Sequence, residues 1–444
     1  MSLGGARVQG ELVIVDDPTG TPHDVTVNPA SVDLALCAFA ARGLYTVKPD
    51  VYDSLVVFTT HPMTEVQYTL FGKTPSGYAV RQTDQGITYG GFLIRQPPSA
   101  YGSAAELDHC AYMGPLRQWP ANPDAPFELP AGPLGGTKPM GLTGVEVLGH
   151  EFGHHWLLFA AHDANDGRGL QALFRSDPRD PEQADRPKPS TADLHYSHLA
   201  GSLSVMFGNT VTPLGGDTFR LEGGARKYSP LDQYLMGLRG AHETPPLLVI
   251  DDGSQRGLIG TPLMAGQTEL VRGRRVDIPV DDVIRAVGPR VPAYPNTQRC
   301  FRFAFVVVAH PGHTVTAAEL ATIEAYRQRW ESWFPFATDG RGSVDTRLSP
   351  ADPCPTTPVD LMPASEVGIA TQPVPVEPLG TEPPPTPPVM MEPRPEPMQL
   401  DPELNSTLKP GCGCGIGNTS GLMMLALCCL LARPLRQRAW RHRR

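Results

Sequence analysis

Two hydrophobic periods alternate along the chain up to about Ser349. Ser31–Arg42 carries apolar residues at helical spacing behind a capping serine, which predicts a helix closed near Gly43. Leu55–Thr60 is a short β-branched run and predicts a buried strand, and Val66–Phe71, Ile87–Ile94 and Phe301–Val308 predict further strands. Leu142–Ala161 returns to the helical period and is the most apolar helix of the chain. Ser229–Gly237 predicts a short helix, with Ser229 as N-cap, Pro230 in the first helical position and Gly237 near the stop. Thr316 and Glu319 form a capping box that opens a long helix through Trp330 and Trp333. Helices and strands mix in this way without an internal repeat, so the expected class is α+β.

The periodicity ends at Ser349. From there to Pro410 the chain is dominated by proline, as in Glu382–Pro388, and has few aromatics, so it cannot bury enough apolar surface to fold and is expected to form an extended stalk. The predicted organisation is therefore a body over residues 1–348, a Pro-rich linker over 349–410 and a tail over 411–444. The formal net charge of −9, despite a basic C-terminus, excludes the cationic footprint that a nucleic-acid partner requires. Of the eight cysteines, Cys37, Cys110, Cys300 and Cys354 are far apart with no C-x-x-C pair, so a zinc finger is not indicated. In an exported protein they make two disulfides with three possible connectivities; the alternative is buried free thiols.

In the tail, Cys412 and Cys414 alternate with glycines, Ile416–Ala432 is largely apolar, and six arginines follow, from Arg433 to Arg444. An apolar run capped by cations reads as a membrane segment with its Arg end in the cytoplasm. It is short, and it holds Asn418, Thr419 and Ser420, where a permanent span needs ~20 apolar residues. The three-part order resembles the C-terminal sorting tail of myxobacterial surface proteins. That resemblance implies export to the cell surface and processing near the cysteines; an ordinary tail anchor is the other reading. The N-terminus lacks the apolar core of a signal peptide, so an exported body implies a start placed too far downstream, or a truncated sequence.

The helix beginning near Leu142 carries His150-Glu151-Phe152-Gly153-His154, an H-E-x-x-H arrangement. Residues four apart share a helix face, so His150 and His154 can each point one imidazole nitrogen at a single ion, and imidazole suits Zn2+. Glu151 then stands beside the ion and can take a proton from water there and pass it to a leaving amine. Gly153 lets another backbone approach the helix. Between Val147 and Phe159 the only charged side chain apart from histidine is Glu151, which a helix of merely structural histidines does not explain.

Catalytic zinc usually takes a third protein ligand. Leu157 and Ala160 stand where an H-E-x-x-H-x-x-G-x-x-H pattern has its glycine and third histidine, which argues against a metzincin, and His162 is expected to cap the helix C-terminus. Two downstream clusters remain: Leu194–His198, followed by Gly201–Asn209, and Tyr228–Leu238. With the motif helix and the Tyr52–Thr59 strand, they resemble a group of exported bacterial zincin-like peptidases that show H-E-x-G-H, then His-Trp-Ser, then Ser-Pro-Leu-Asp-x-Tyr-Leu-Met-Gly. The resemblance spans roughly Asp53 to Leu238, with Tyr196 where that pattern favours Trp. Asp232 is the expected third ligand, because a second helix supplying an acid is the usual zincin arrangement. The alternatives are His195, or a purely capping role for Asp232 at the third helical position. Tyr228 or Tyr234 is a candidate donor to a developing oxyanion, or packs with its hydroxyl satisfied. Asp163–Gly167 reads as an exposed turn rather than a calcium loop, because it lacks the later bidentate glutamate.

The expectation is thus a zincin-like body, with an active-site helix on a small sheet, carrying Zn2+ on His150, His154 and Asp232 with Glu151 as the proton-transfer group. It would hydrolyse peptide bonds of extracellular proteins. The competing expectation is a surface-anchored binding or adhesion module with a structural or vestigial metal site.

Overall fold

The computed structural model describes residues 4–20, 32–61, 75–87, 98–104, 106–130, 137–157, 160–167, 171–172, 195–252 and 262–350. All lie in the first of two compact units, Met1–Gly368; the second, Ile369–Arg444, lies outside the described residues. The expected sorting tail, the Pro-rich linker beyond Pro350, the expected strand at Val66–Phe71 and all but the first residue of that at Ile87–Ile94 also lie outside the described residues.

In chain order, β1 (Ala6–Gln9) and β2 (Leu12–Asp16) precede the helix α1 (Val32–Leu44). Strands β3 (Ser54–Thr59) and β4 (Ser76–Ala79), the single turn α2 (Pro98–Tyr101) and β5 (His109–Pro115) follow. The hairpin of β6 (Pro126–Pro130) and β7 (Thr137–Thr143) leads into the motif helix α3 (Gly144–Gly153). Next come β8 (Ala161–His162), β9 (Gln171–Ala172), β10 (Thr210–Gly215), β11 (Thr218–Glu222) and α4 (Pro230–Leu235). The chain continues through β12 (Leu247–Asp251), β13 (Thr268–Arg272), β14 (Arg274–Ile278) and α5 (Val280–Val287). It closes with β15 (Cys300–Ala309), the long helix α6 (Ala317–Ala337) and β16 (Ser343–Asp345).

The molecule is mixed α/β with several sheets. The largest has seven strands in the order β1-β2-β15-β3-β5-β4, with β16 pairing β15 off this path. Strands β2, β15, β3 and β5 run parallel, while β1 and β4 add antiparallel strands at the two ends. Parallel strands covered on both faces must be apolar on both faces, which is why Leu55–Phe58 of β3 and Phe303–Ala309 of β15 read as unbroken apolar runs. The period of two still sorts their side chains. Val13, Val15, Leu55, Val57, Val306 and Val308 pack with α1 residues such as Leu36 and Phe39. The alternate set, including Leu12, Ile14, Val56, Phe58, Phe303 and Phe305, packs with Leu148 and Phe152 of α3 and Trp330 and Phe334 of α6. The small sheet expected from the sequence is thus a larger one, filled on both sides.

Helix α3 starts where the sequence predicts, with a capping box between Thr143 and Glu146, but stops at Gly153 rather than reaching Ala161. Glycine is a poor helix residue, and a side chain at Gly153 would stand 2.6 Å from the Met206 sulfur. His162 therefore does not cap this helix; it sits in β8, opposite Gln171. The short helix α4 has the predicted boundaries and capping serine, and α6 has the predicted capping box. Asp163–Gly167 forms a turn with Asn165 and Gly167 at positive φ. A buried Cys37–Cys110 disulfide ties α1 to β5 across 73 residues. Cys300 is also disulfide-bonded, and Cys354 lies outside the described residues. Among the described residues, no helix is long and apolar enough to cross a membrane.

Candidate metal centre

Helix α3 is fixed to the sheet from both ends. At its start, Glu146 caps the backbone and also accepts from the Arg226 amide at 2.7 Å. At its end, the last carbonyls lose their helical donors and need others. The Glu151 carbonyl receives the His109 Nε2 proton at 3.0 Å, while Ser54 Oγ lies 2.9 Å from the other nitrogen of that ring. Gly77 of β4 crosses close above the same point: a Cβ there would lie 2.0 Å from the Glu151 carbonyl oxygen. Its amide lies near enough to the Glu151 carboxyl to act against the effect of burial on it. Edge strand, sheet and helix therefore meet at the glutamate of the motif.

The two motif histidines face the same way, with their Nε2 atoms 3.2 Å apart. His195 Nε2 joins them at 3.0 Å from that of His150, and one ligand atom from each of the three residues lies within 4.8 Å of the others. The tautomer of His150 follows from its other nitrogen: Nδ1 donates to the Val205 carbonyl at 2.7 Å, so Nε2 carries a lone pair. Burial holds His150 down to about 4 and keeps His154 and His195 well below the ordinary imidazole range. Neutral imidazoles aimed at a common point are ligands in waiting. Three tetrahedral ligands with zinc bonds of ~2.0–2.1 Å would stand about 3.3–3.4 Å from one another; the two spacings from His150 are 3.2 and 3.0 Å, and all three atoms lie within 4.8 Å. The donor set thus fits a divalent ion that prefers nitrogen.

Asp232 does not join this cluster. One carboxylate oxygen accepts from the Tyr196 hydroxyl at 2.7 Å, and the other from Ser204 Oγ at 2.5 Å and the Ser229 amide at 2.7 Å. The group of residues that could hold an ion is His150, His154 and His195, so the place expected of Asp232 is filled in this cluster by His195. Burial pushes the Asp232 carboxyl above its ordinary value, and the bonds from Ser204, Tyr196 and Ser229 act the other way. The tyrosine at 196, where the resembling pattern favours tryptophan, supplies one of those hydroxyls. Asp232 therefore supports the residue that follows His195 and the residue that precedes Val205.

Glu151 is 2% exposed, and burial raises its carboxyl to about 8. Of the two tyrosines considered for an oxyanion, Tyr228 has its hydroxyl proton engaged. Tyr228 donates to the Gly149 carbonyl at 2.6 Å, and Tyr234 accepts from the Arg290 amide at 3.3 Å. His198, three residues past His195, faces Glu269 at 2.8 Å and Asn209, not the cluster. On another side of α3, beyond Phe152 and His155, lies a polar hollow. Its charges pair among themselves, Arg81 with Asp108 and Arg290 with Asp84.

The sequence reading passed over three contributors: Gly77, His109 and the turn at Val205–Phe207. The last lies inside the Gly201–Asn209 stretch, whose glycines and small polar residues were the available signal. Comparison of the chain with protein-family models, curated proteins and solved structures finds no match.

Proposed function

We propose that this chain is a zinc-dependent peptidase, with His150, His154 and His195 holding the ion and Glu151 moving the proton. The observation that carries this reading is the convergence of three neutral imidazole nitrogens, His150 and His154 coming from the motif helix that also carries the buried Glu151. When bound, zinc would polarise a scissile carbonyl and make water a stronger acid. The chain's own groups do the rest. The Val205 carbonyl holds the His150 tautomer, so that its Nε2 stays free of a proton. The Glu151 carboxylate takes a proton from the attacking water and returns it to the leaving amine.

The substrate class is an extracellular peptide or protein, following the export that the C-terminal pattern suggests. Purified protein should carry about one zinc per chain and cleave an unfolded protein substrate. Glu151→Gln should keep the zinc and lose the cleavage, and retained cleavage would sink the mechanism. A second reading is favoured by the depth of the site, where His150 and Glu151 are each 2% exposed: a structural or vestigial ion in a surface binding or adhesion module. Four protein ligands around the bound ion would support that reading, and three with one exchangeable position the peptidase.

A further inference from the structure

Phe207 has φ +79°, inside the left-handed region that side chains other than glycine rarely adopt. The next residue, Gly208, has φ +80°. A glycine at 207 would take this conformation without cost, yet the position holds a large ring. Strain of this kind persists only where the surroundings over-determine it, and here they do. The Ser204 and Phe207 backbones bond to each other in both directions, at 3.1 and 3.0 Å. Arg226, fully buried, donates to the carbonyls of Ser204 at 3.1 Å and Gly208 at 2.6 Å. The Tyr196 amide donates to the Met206 carbonyl at 2.8 Å, which ties the turn to the strand of chain leaving His195.

The ring that this conformation projects lies against two of the three histidines. Its centroid is 5.0 Å from His150, with planes 30° apart, and 4.6 Å from His195, with planes 25° apart. The two imidazoles are themselves nearly parallel, at 10°. His154 meets both edge-on, at 88° and 79°, so its plane is set independently of this stack. One face of Phe207 thus spans a ligand from helix α3 and a ligand 45 residues further on, which no secondary-structure element holds together.

We propose that Phe207 is a positioning residue of the metal centre: its ring, imposed by a strained turn, sets the planes of His150 and His195 so that their Nε2 atoms converge with that of His154. This rests on the three-histidine reading of the site and adds the device that aligns it. Stacking contacts of offset, near-parallel rings favour one ring orientation over others. Ligand planes fixed before the ion arrives need not be ordered when it binds.

The test uses the full chain and zinc alone, titrated against a chromophoric chelator, with Co2+ substitution as a spectroscopic reading of ligand geometry. Phe207→Gly removes the ring while suiting the backbone, so relief of the positive φ offsets part of the packing lost against the core and the metal-free protein should still fold cooperatively. Its zinc affinity should fall by about 10–100-fold, as for loss of a supporting partner, and its cobalt absorption should broaden or weaken. Phe207→Tyr should keep both properties. A Gly variant that binds zinc as tightly as the parent, with the same cobalt spectrum, overturns the inference and leaves the three-histidine reading intact. A parent chain that binds no zinc overturns both.

Discussion

Replacing Asp232 with asparagine separates a supporting carboxylate from a ligand. In the native site the carboxylate accepts three hydrogen bonds, from the Tyr196 hydroxyl, Ser204 Oγ and the Ser229 amide. Asparagine has the same shape but one acceptor oxygen. Placed toward Ser204 and Ser229 it keeps two of the bonds, and its amide group then confronts the Tyr196 hydroxyl, which must turn away. One charge-assisted bond is lost, worth about 1.5–3 kcal/mol, and two others lose their charge. Relief of a buried charge returns part of this, so a net cost of about 2–3 kcal/mol is expected. A total stability of ~5–15 kcal/mol survives that loss. Asp232→Asn should therefore fold, melt several degrees lower and still hold about one zinc per chain, its affinity reduced no more than about 10–100-fold. His195→Ala removes a ligand nitrogen and should lose zinc far more completely. Its melting temperature should move little in the absence of metal. Metal content after chelator competition decides between the two. If Asp232→Asn empties the site while His195→Ala retains zinc, the assignment of His195 and the supporting role of Asp232 are both refuted.

Gly77→Ala would bring a Cβ to 2.0 Å from the Glu151 carbonyl oxygen, backbone against side chain, with nothing flexible to give way. Proteolytic activity should fall by at least about tenfold, with a stability loss of ~1–3 kcal/mol or more by chemical denaturation; an alanine variant with parental activity would show that β4 does not lie over the motif. Removing the Cys37–Cys110 disulfide frees a loop spanning 73 residues, so a double alanine variant should lose about 4 kcal/mol in denaturant, and a loss below ~1 kcal/mol would count against a constraining role. His61 is held down to about 4 by burial and the nearby His310 ring, and its nitrogens face Asp17 at 3.0 Å and Thr59 at 2.6 Å. A depressed histidine contributes stability that is complete above its unfolded value near 6.5 and is lost as pH falls toward 4. Because Asp17 pulls the other way, the loss at pH ~5 is at most about 2 kcal/mol. His61→Gln should flatten the drop in melting temperature between pH ~7 and ~5, and an unchanged slope would remove His61 from the account.

The parts of the molecule legible in the sequence are those whose cause is local. The capping boxes at Thr316 and Ser229, and the proline and glycine bracketing α4, act over three to eight positions, and the structure has those helices where they predict them. The i, i+4 spacing of His150 and His154 is of the same kind. The helix containing them stops at Gly153, where Met206, a residue more than fifty positions away, approaches too closely for a side chain, and no local pattern announces that contact. The seven-stranded order has the same origin. The apolar run at β15 reads as a strand, but nothing in it says that it lies between β2 and β3. Gly77 and His109 were invisible for this reason too, since each matters only through its contact with Glu151.

Asp232 shows how a local reading and a functional one compete for the same atoms. Its place three residues after Ser229 made it a capping acid, and its place on a second helix made it a candidate ligand. The geometry shows that these are alternatives. The oxygen that closes the capping box on the Ser229 amide also accepts from Ser204, and the remaining oxygen accepts from Tyr196. Three of its roughly four acceptor sites are used in this way, and the group stands outside the histidine cluster. What the capping role yields instead is a fixed carboxylate that ties together two segments of one excursion: Tyr196, directly after His195, and Ser204, directly before the carbonyl that orients His150. A helix start is a rigid anchor because its backbone is already committed to the first turn. The short α4 helix therefore serves the histidine cluster without touching it. This accounts for a capping acid that is completely buried, where an ordinary N-terminal acid would stand in solvent.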